Sequence, residues 1–236
     1  MLEICLKLRY NIPHMDTDNI QVNVEEVKLK AITEEFHKGI ETVKKFNPAV
    51  TFYGSTRIRE DHPYYIKVRN LTHRIAEELK YAVLSGGGPG IMEAANRGAF
   101  EAGGTSVGLT IKLPFEQVTN PYVTDEIPFH FFFTRQSAMS YSTEVCVFCP
   151  GGFGTLNELF ENLTLQQTGK IGKIPVILFG SDFWNPIEKM IRETLFEKYQ
   201  TVSEKDMKLY IIEDDEDKIL EIIKNSEMRS GLDSLK

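Results

Sequence analysis

Residues 145–158 read VCVFCPGGFGTLNE. The first part is a short apolar run that indicates a buried strand, and it stops at Pro150 and the glycines. The residues that follow have the apolar spacing of a helix. A glycine turn between a strand and a helix leaves backbone N–H groups free to bind a phosphate or another anion. With Glu158 in the predicted first turn, the segment predicts an anion site beside a carboxylate.

The same alternation of strand and helix extends through the chain on both sides of this segment. Apolar runs predict strands at residues 49–53, 82–85, 106–111, 129–133, 144–149, 175–179 and 209–212. Helical spacing predicts helices at residues 65–79, 91–102, from about 134, from the opening segment to about 168, 186–199 and 214–226. This pattern predicts a single Rossmann-like, doubly wound α/β domain with a mostly parallel sheet of about seven strands.

The two ends of the chain differ from this repeat. Residues 1 to about 30 are polar and weakly patterned, with a short strand predicted at 4–8, and a helix is predicted at 32–46 with Thr33 as its cap. We therefore predict an N-terminal extension at 1–46, the Rossmann-like domain at 47–227 and a flexible tail at 228–236.

Composition excludes several classes of function. A net charge of −7 argues against a nucleic-acid-binding protein, which needs a basic face. The chain has three cysteines without a framework spacing, no signal-peptide pattern at Met1 and no apolar run long enough to cross a bilayer, which together predict a cytoplasmic protein. The histidines show no metal-ligand spacing, so no metal is predicted.

Three predicted strand ends carry unusual residues: Gly54-Ser55, residues 86–90 (GGGPG) and residues 150–155. In a doubly wound sheet such ends meet in one crevice, so we expect all three to contact one ligand. The GGGPG turn matches neither the dinucleotide fingerprint nor the P-loop. A tight turn that needs glycine for packing alone remains an alternative for it.

Glu158 has two interpretations. The spacing Thr155-x-x-Glu158 fits a capping box, in which the glutamate only closes the helix N-terminus. The alternative is a functional carboxylate, which the helix N-terminus would hold in its ionised form, suited to stabilising a developing cation or activating water.

Arg135 also has two interpretations. It lies at the predicted start of a helix, where a basic residue is unfavourable, and this is typical of a functional residue. A surface ion pair is the alternative. The pair Cys146 and Cys149 falls inside an apolar strand, which disfavours a redox site.

Two motifs, GGGPGIME at residues 86–93 and PGGFGTLNE at residues 150–158, resemble the paired signatures of the LOG family. These are cytokinin riboside 5′-monophosphate phosphoribohydrolases, long labelled lysine decarboxylase-like. The sequence around the motifs resembles the bacterial branch related to AMP nucleosidases, and the resemblance covers about residues 50–183. It implies a Rossmann-like homodimer or higher homo-oligomer that hydrolyses the N-glycosidic bond of a nucleoside 5′-monophosphate to free base and ribose 5-phosphate, without a cofactor.

The resemblance also implies roles for individual residues. Glu158 matches the family's catalytic glutamate and Arg135 its catalytic arginine, while Gln136 stands where a lysine is usual and removes one charge from the site. The residues expected to bind substrate are those of the two glycine turns together with the first strand end: Gly54, Ser55, Gly87, Gly88, Gly90, Met92, Gly152, Gly154 and Thr155.

Two questions stay open at this stage. The leaving base must be protonated, and Glu93 and Glu116 are the candidate donors. The alternative function is a non-catalytic nucleotide or cofactor carrier, because the same turns could serve binding alone. A pyridoxal-phosphate decarboxylase is disfavoured because no motif for a Schiff-base lysine is present.

Overall fold

The computed structural model describes residues 24–113 and 118–226. The strand predicted at 4–8, the candidate Glu116 and the predicted tail at 228–236 lie outside these ranges. Contacts divide the chain into two units, residues 1–34 and 35–236. The predicted boundary between an extension and the Rossmann-like domain stays a prediction.

The described residues contain seven parallel strands in one sheet, in the order β4-β3-β2-β1-β5-β6-β7. The strands are β1 (Ala49–Tyr53), β2 (Ala82–Ser85), β3 (Ser106–Ile111), β4 (Asp125–Phe129), β5 (Val145–Phe148), β6 (Val176–Leu178) and β7 (Ile211–Ile212). The predicted Rossmann-like fold class is confirmed, and β1, β2 and β3 have the predicted bounds.

Seven α-helices accompany these strands in the part of the chain that is described. They are α1 (Val24–Val43), α2 (Pro63–Arg74), α3 (Ile91–Glu101), α4 (Phe132–Tyr141), α5 (Phe153–Gln167), α6 (Ser181–Met190) and α7 (Glu216–Lys224). Helices α2 and α6 continue in π-helical turns, Ile75–Leu79 and Ile191–Lys198.

The helices cover both faces of the sheet, as a doubly wound fold requires. On one face, Val50 and Phe52 of β1 share a buried apolar cluster with side chains of α2, α3 and α7. On the other face, Leu84 and Phe148 share a second cluster with side chains of α4, α5 and α6. Burial on both faces explains why the central strands are apolar throughout.

Three predicted elements differ in position from the observed ones. The fourth strand is Asp125–Phe129 and not residues 129–133, because β4 is an edge strand that tolerates Pro128 and buries only Ile127 and Phe129. The first helix begins at Val24, so Thr33 does not cap it; its hydroxyl donates to the Leu29 carbonyl instead.

The helix predicted at 186–199 begins earlier, at Ser181, and contains Pro186. The carboxylate of Asp214 accepts the backbone N–H groups of Gly180 and Ser181 at 2.8 and 3.0 Å. Local sequence does not predict this cap, because it comes from the end of a distant strand. Pro186 instead predicted the start of the helix, since proline is favoured at the first helical position.

Candidate active site

A cavity of about 930 Å³ opens where the order of the strands reverses. Strands β1 and β5 are neighbours there, and the chain runs outward from them in opposite directions. The Ser55 N–H donates to the Pro150 carbonyl at 3.0 Å and joins the loops that follow the two strands. The loops that follow β1 and β5 therefore line a single crevice.

Most of the residues that the sequence singles out line this cavity. They are Gly54, Ser55, Met92, Arg135, Gly152, Gly154, Thr155 and Glu158. Gly87, Gly88 and Gly90 do not line it, and Gly90 borders a neighbouring cavity of about 400 Å³. The roles assigned to all these residues stay predictions, but eight of them share one space.

The turn after β5 leads directly into the N-terminus of α5. Gly152 is the N-cap residue, and no side chain caps this helix. The capping box is therefore wrong: α5 begins at Phe153, which places Glu158 in its second turn and not its first. The N–H groups of the first turn, which have no partners within a helix, lie in the cavity wall and suit an anion.

Glu158 and Arg135 form an ion pair inside the cavity. Arg135 Nη2 lies 2.9 Å from Glu158 Oε1, and each side chain is 13% exposed. The surface ion pair considered for Arg135 is therefore wrong, because this pair is largely withdrawn from water. Arg135 also lies over the ring of Phe132 at 5.7 Å. Its Nε–H is buried without a hydrogen-bond partner among the described residues.

The protonation of Glu158 differs from the expectation of a fully ionised carboxylate. Burial raises the pKa of Glu158 to about 7, the charge of Arg135 lowers it and Glu161 raises it. Removal from water outweighs the attraction of the arginine. Near neutral pH both forms are populated, so Glu158 can either stabilise positive charge or donate a proton.

The turn after β2 has the structural role that was considered for it as an alternative. Gly87 and Gly90 have positive φ angles of 70° and 73°. The Gly88 carbonyl accepts the Asn120 amide at 3.0 Å. Gly86 and Met92 are the residues of this region that reach the main cavity.

The two candidate proton donors are not both at this cavity. Glu93 accepts the Tyr65 hydroxyl at 2.9 Å and borders the neighbouring cavity instead. Glu116 lies in the segment that is not described. The Gln136 side-chain amide is buried, and its nitrogen has no partner within the described ranges. The Cys146 and Cys149 side chains are buried, and burial raises the pKa of the Cys149 thiol, which opposes redox chemistry.

Sequence reasoning missed Arg57, Phe153 and Phe183, which also line the cavity. Phe153 is 94% exposed although it is a large apolar side chain. Its position between two motif glycines was the available signal. Phe183 comes from α6, and only the tertiary structure brings it to the cavity.

The described residues contain neither a membrane-spanning helix nor a candidate metal site. No described helix is both long and apolar enough to span a membrane. Within the described ranges no group of three or more His, Cys, Asp or Glu side chains could hold a metal ion.

Comparison with known families matches residues 92–223 to the family model described as possible lysine decarboxylase. A cytokinin riboside 5′-monophosphate phosphoribohydrolase of Arabidopsis thaliana is 27% identical over 143 residues, 60% of this chain and 66% of the relative. An enzyme of the same name from Rhodococcoides fascians is 26% identical over 129 residues, 54% of this chain and 65% of the relative. The matched segment thus spans just under two thirds of the length of these curated relatives.

Solved structures share the fold. The molybdenum cofactor carrier protein of Chlamydomonas reinhardtii aligns with a TM-score of 0.57 and 24% identity, over 75% of this chain and 96% of that one. A molybdenum cofactor binding protein from Rippkaea orientalis aligns with a TM-score of 0.52 and 20% identity, over 75% of this chain and 93% of that one. Identities this low support the architecture and leave the function to the site.

Proposed function

This chain belongs to the possible lysine decarboxylase family, whose model matches more than half of its 236 residues, and on that premise we propose that it is a nucleotide phosphoribohydrolase. The reaction is hydrolysis of the N-glycosidic bond of a nucleoside 5′-monophosphate to a free base and ribose 5-phosphate. Adenosine monophosphate (AMP) and cytokinin riboside 5′-monophosphates are the substrates proposed first, since two similar proteins carry the latter in their names.

One observation carries the proposal: the buried pair of Arg135 and Glu158 lies in the same cavity as the uncapped N-terminus of α5. The helix N-terminus would bind the 5′-phosphate through its N–H groups. Glu158 comes from the second turn of the same helix, so a bound phosphate would fix the ribose in register with the carboxylate.

Cleavage of a ribosyl–base bond passes through a state with positive charge at the anomeric carbon. An ionised Glu158 would stabilise that charge or orient the attacking water, and a protonated Glu158 would give its proton to the departing base. A pKa of about 7 makes both forms available. Arg135 would hold Glu158 in place through their ion pair.

The decarboxylase in the family's description receives no support from this cavity. Such an enzyme needs a lysine that forms a Schiff base with pyridoxal phosphate. None of the described residues that line the cavity is a lysine. Water is the only co-reactant that the proposed hydrolysis requires.

The test is release of free base from a panel of 5′-monophosphates, measured by chromatography, with ribose 5-phosphate measured in parallel. AMP should release adenine at least about a hundredfold faster than adenosine, because adenosine lacks the phosphate that positions the ribose. Binding of the monophosphates without release of base from any of them would favour a carrier. The same preparation, analysed by sedimentation, tests the proposed homodimer or higher homo-oligomer.

A further inference from the structure

We infer that Glu35, on α1, is a positioning residue for the proposed reaction: its carboxylate holds the N-terminus of α4 and through it the guanidinium of Arg135. Only the expected effect on turnover rests on the proposed function. Glu35 precedes residues 92–223, which the family model matches, and it does not line the cavity.

Four polar groups around the start of α4 contact the Glu35 carboxylate. The N–H groups of His130 and Phe131 donate to it at 2.7 and 3.2 Å. The Thr134 hydroxyl donates at 2.6 Å, and the His130 ring nitrogen Nδ1 lies at 2.8 Å. The Glu35 side chain is only 11% exposed, so these contacts replace most of the hydrogen bonds that its carboxylate would otherwise form with water.

Helix α4 has no side-chain cap of its own, and the Glu35 carboxylate contacts the residues that lead into it. Its N-cap residue is Phe131, which has no side-chain oxygen, and no cap hydrogen bond is formed. A carboxylate at a helix N-terminus accepts otherwise unpaired N–H groups and is favoured by the helix dipole. Glu35, from a different helix, accepts the N–H groups of the two residues before α4 and the hydroxyl of Thr134 in its first turn, and so fixes the entry into the helix.

Close packing limits the freedom of α1 relative to this region. A Cβ atom at Gly39 would lie 2.6 Å from the Phe129 ring, so glycine allows the helix to approach β4 directly. Ile40 and Val43 share a buried cluster with Phe129 and Ala138. The Glu35 carboxylate is therefore carried on a well-anchored support.

Arg135 lies one residue beyond the contacts of Glu35. Its N–H donates to the Phe131 carbonyl at 3.2 Å, inside the turn that Glu35 holds. If that turn loosens, the guanidinium moves relative to Glu158, from which it is now separated by 2.9 Å. The expected consequence is a less well placed pair, with a smaller effect on the phosphate-binding turn after β5.

The experiment compares Glu35→Gln with Glu41→Gln in the full chain. The Glu35→Gln substitution keeps the size of the side chain but replaces one acceptor oxygen with a donor. Glu41 is exposed on the same helix and pairs with Lys44, so Glu41→Gln controls for loss of a charge. For Glu35→Gln we expect kcat for AMP to fall about tenfold with KM changed less than twofold; Glu41→Gln should change neither.

A double-mutant cycle separates positioning from general destabilisation. In an Arg135→Ala background, Glu35→Gln should cause no further loss of kcat, because the group through which it acts is gone. Equal, additive losses in both backgrounds would overturn the inference. If Glu35→Gln does not fold, Thr134→Val removes one donor to the same carboxylate, and Thr134→Ser restores the hydroxyl; only the first should lower kcat.

A second readout does not depend on turnover. Because the charge of Arg135 lowers the pKa of Glu158, displacement of Arg135 should raise that pKa in Glu35→Gln and leave it unchanged in Glu41→Gln. Carbon NMR of labelled carboxyl groups, assigned with Glu158→Gln, measures this shift. A shifted titration with no base release by the wild type would remove the proposed function and keep the positioning role. If the wild type releases base normally, while Glu35→Gln shows an unshifted Glu158 titration and an unchanged kcat, the proposed function would stand and the positioning role would fall.

Discussion

Two glycine-rich turns follow strands of the same sheet, one after β2 and one after β5, and their glycines face different surroundings. In the turn after β2, Gly87 and Gly90 have positive φ angles. A Cβ at Gly87 would lie 2.7 Å from the Thr110 methyl group and 3.3 Å from Gly108 Cα. A Cβ at Gly90 would overlap the Ser55 carbonyl oxygen. These glycines are required by the protein's own packing.

In the turn after β5, Gly152 and Gly154 have no such neighbours. Apart from its chain neighbours and the backbone of α5, a Cβ at either position would meet no atom of the described residues within 4 Å. Gly151 is an exception, since its Cβ would overlap the Thr155 side chain. Similar glycine-rich sequences therefore have different causes: packing in the first turn, and open space beside the cavity in the second.

Each turn is followed by a glutamate, and the largest predicted effect separates the two. Glu158→Gln should lower kcat for base release from AMP about a thousandfold, because it removes the only carboxylate in contact with Arg135 within the described residues. Glu93→Gln should keep turnover within a few-fold of the wild type, because Glu93 contacts Tyr65 beside the neighbouring cavity. Steady-state kinetics of both variants would make the comparison, and equal losses would contradict it.

The pH dependence of stability checks that Glu158 is the buried acid. Its pKa is about 7 in the folded protein against an ordinary value of 4.5, so between these pH values the unfolded chain loses its proton first. The wild type should therefore lose stability as pH rises through that window. Glu158→Gln lacks this titration, so between pH 4.5 and 7 its unfolding free energy should rise by about 3 kcal/mol relative to that of the wild type. Denaturant titrations at several pH values measure the unfolding free energy of both proteins. If the two free energies change with pH in the same way, this assignment is refuted.

Gly90→Ala should break the first turn. The substitution places a Cβ on a residue with φ of 73° and against the Ser55 carbonyl, so the unfolding free energy should fall by about 3 kcal/mol. Gly154→Ala is the matched control in the second turn, and it should leave stability unchanged or slightly raised, since alanine favours a helix. Chemical denaturation of the two variants measures the difference; similar losses would erase the contrast.

Gly154→Ala should instead weaken the binding of AMP, by about tenfold, because the added methyl group occupies space beside the N-terminus of α5. Isothermal titration calorimetry with the catalytically impaired Glu158→Gln protein allows binding to be measured without turnover. Adenosine, which lacks the phosphate, is the control ligand and should be much less sensitive to the substitution. Unchanged affinity for AMP would place the phosphate elsewhere.

Local sequence predicted most of the fold because the buried strands are short apolar runs that any reading for periodicity detects. It failed at β4, where the edge position permits Pro128 and exposed acidic residues. Sequence also singled out Arg135, Glu158 and the motif glycines Gly152 and Gly154, which the structure brings to one cavity and whose roles stay predictions. The capping box gave the wrong start for α5. The spacing of Thr155 and Glu158 is the same whether the helix begins at Leu156 or at Phe153, so it cannot distinguish the two.

Three features follow from local sequence alone: the mostly parallel sheet, the alternation of strands and helices, and a glycine turn before a helix. These depend on which residues are apolar and which allow a turn, and both are properties of neighbours in the chain. Three other features arise from folding: the pairing of Arg135 with Glu158, the burial that raises the pKa of Glu158, and the contact of Glu35 with the start of α4. Charge pairing and removal from water depend on groups that are distant in sequence, so no local pattern records them.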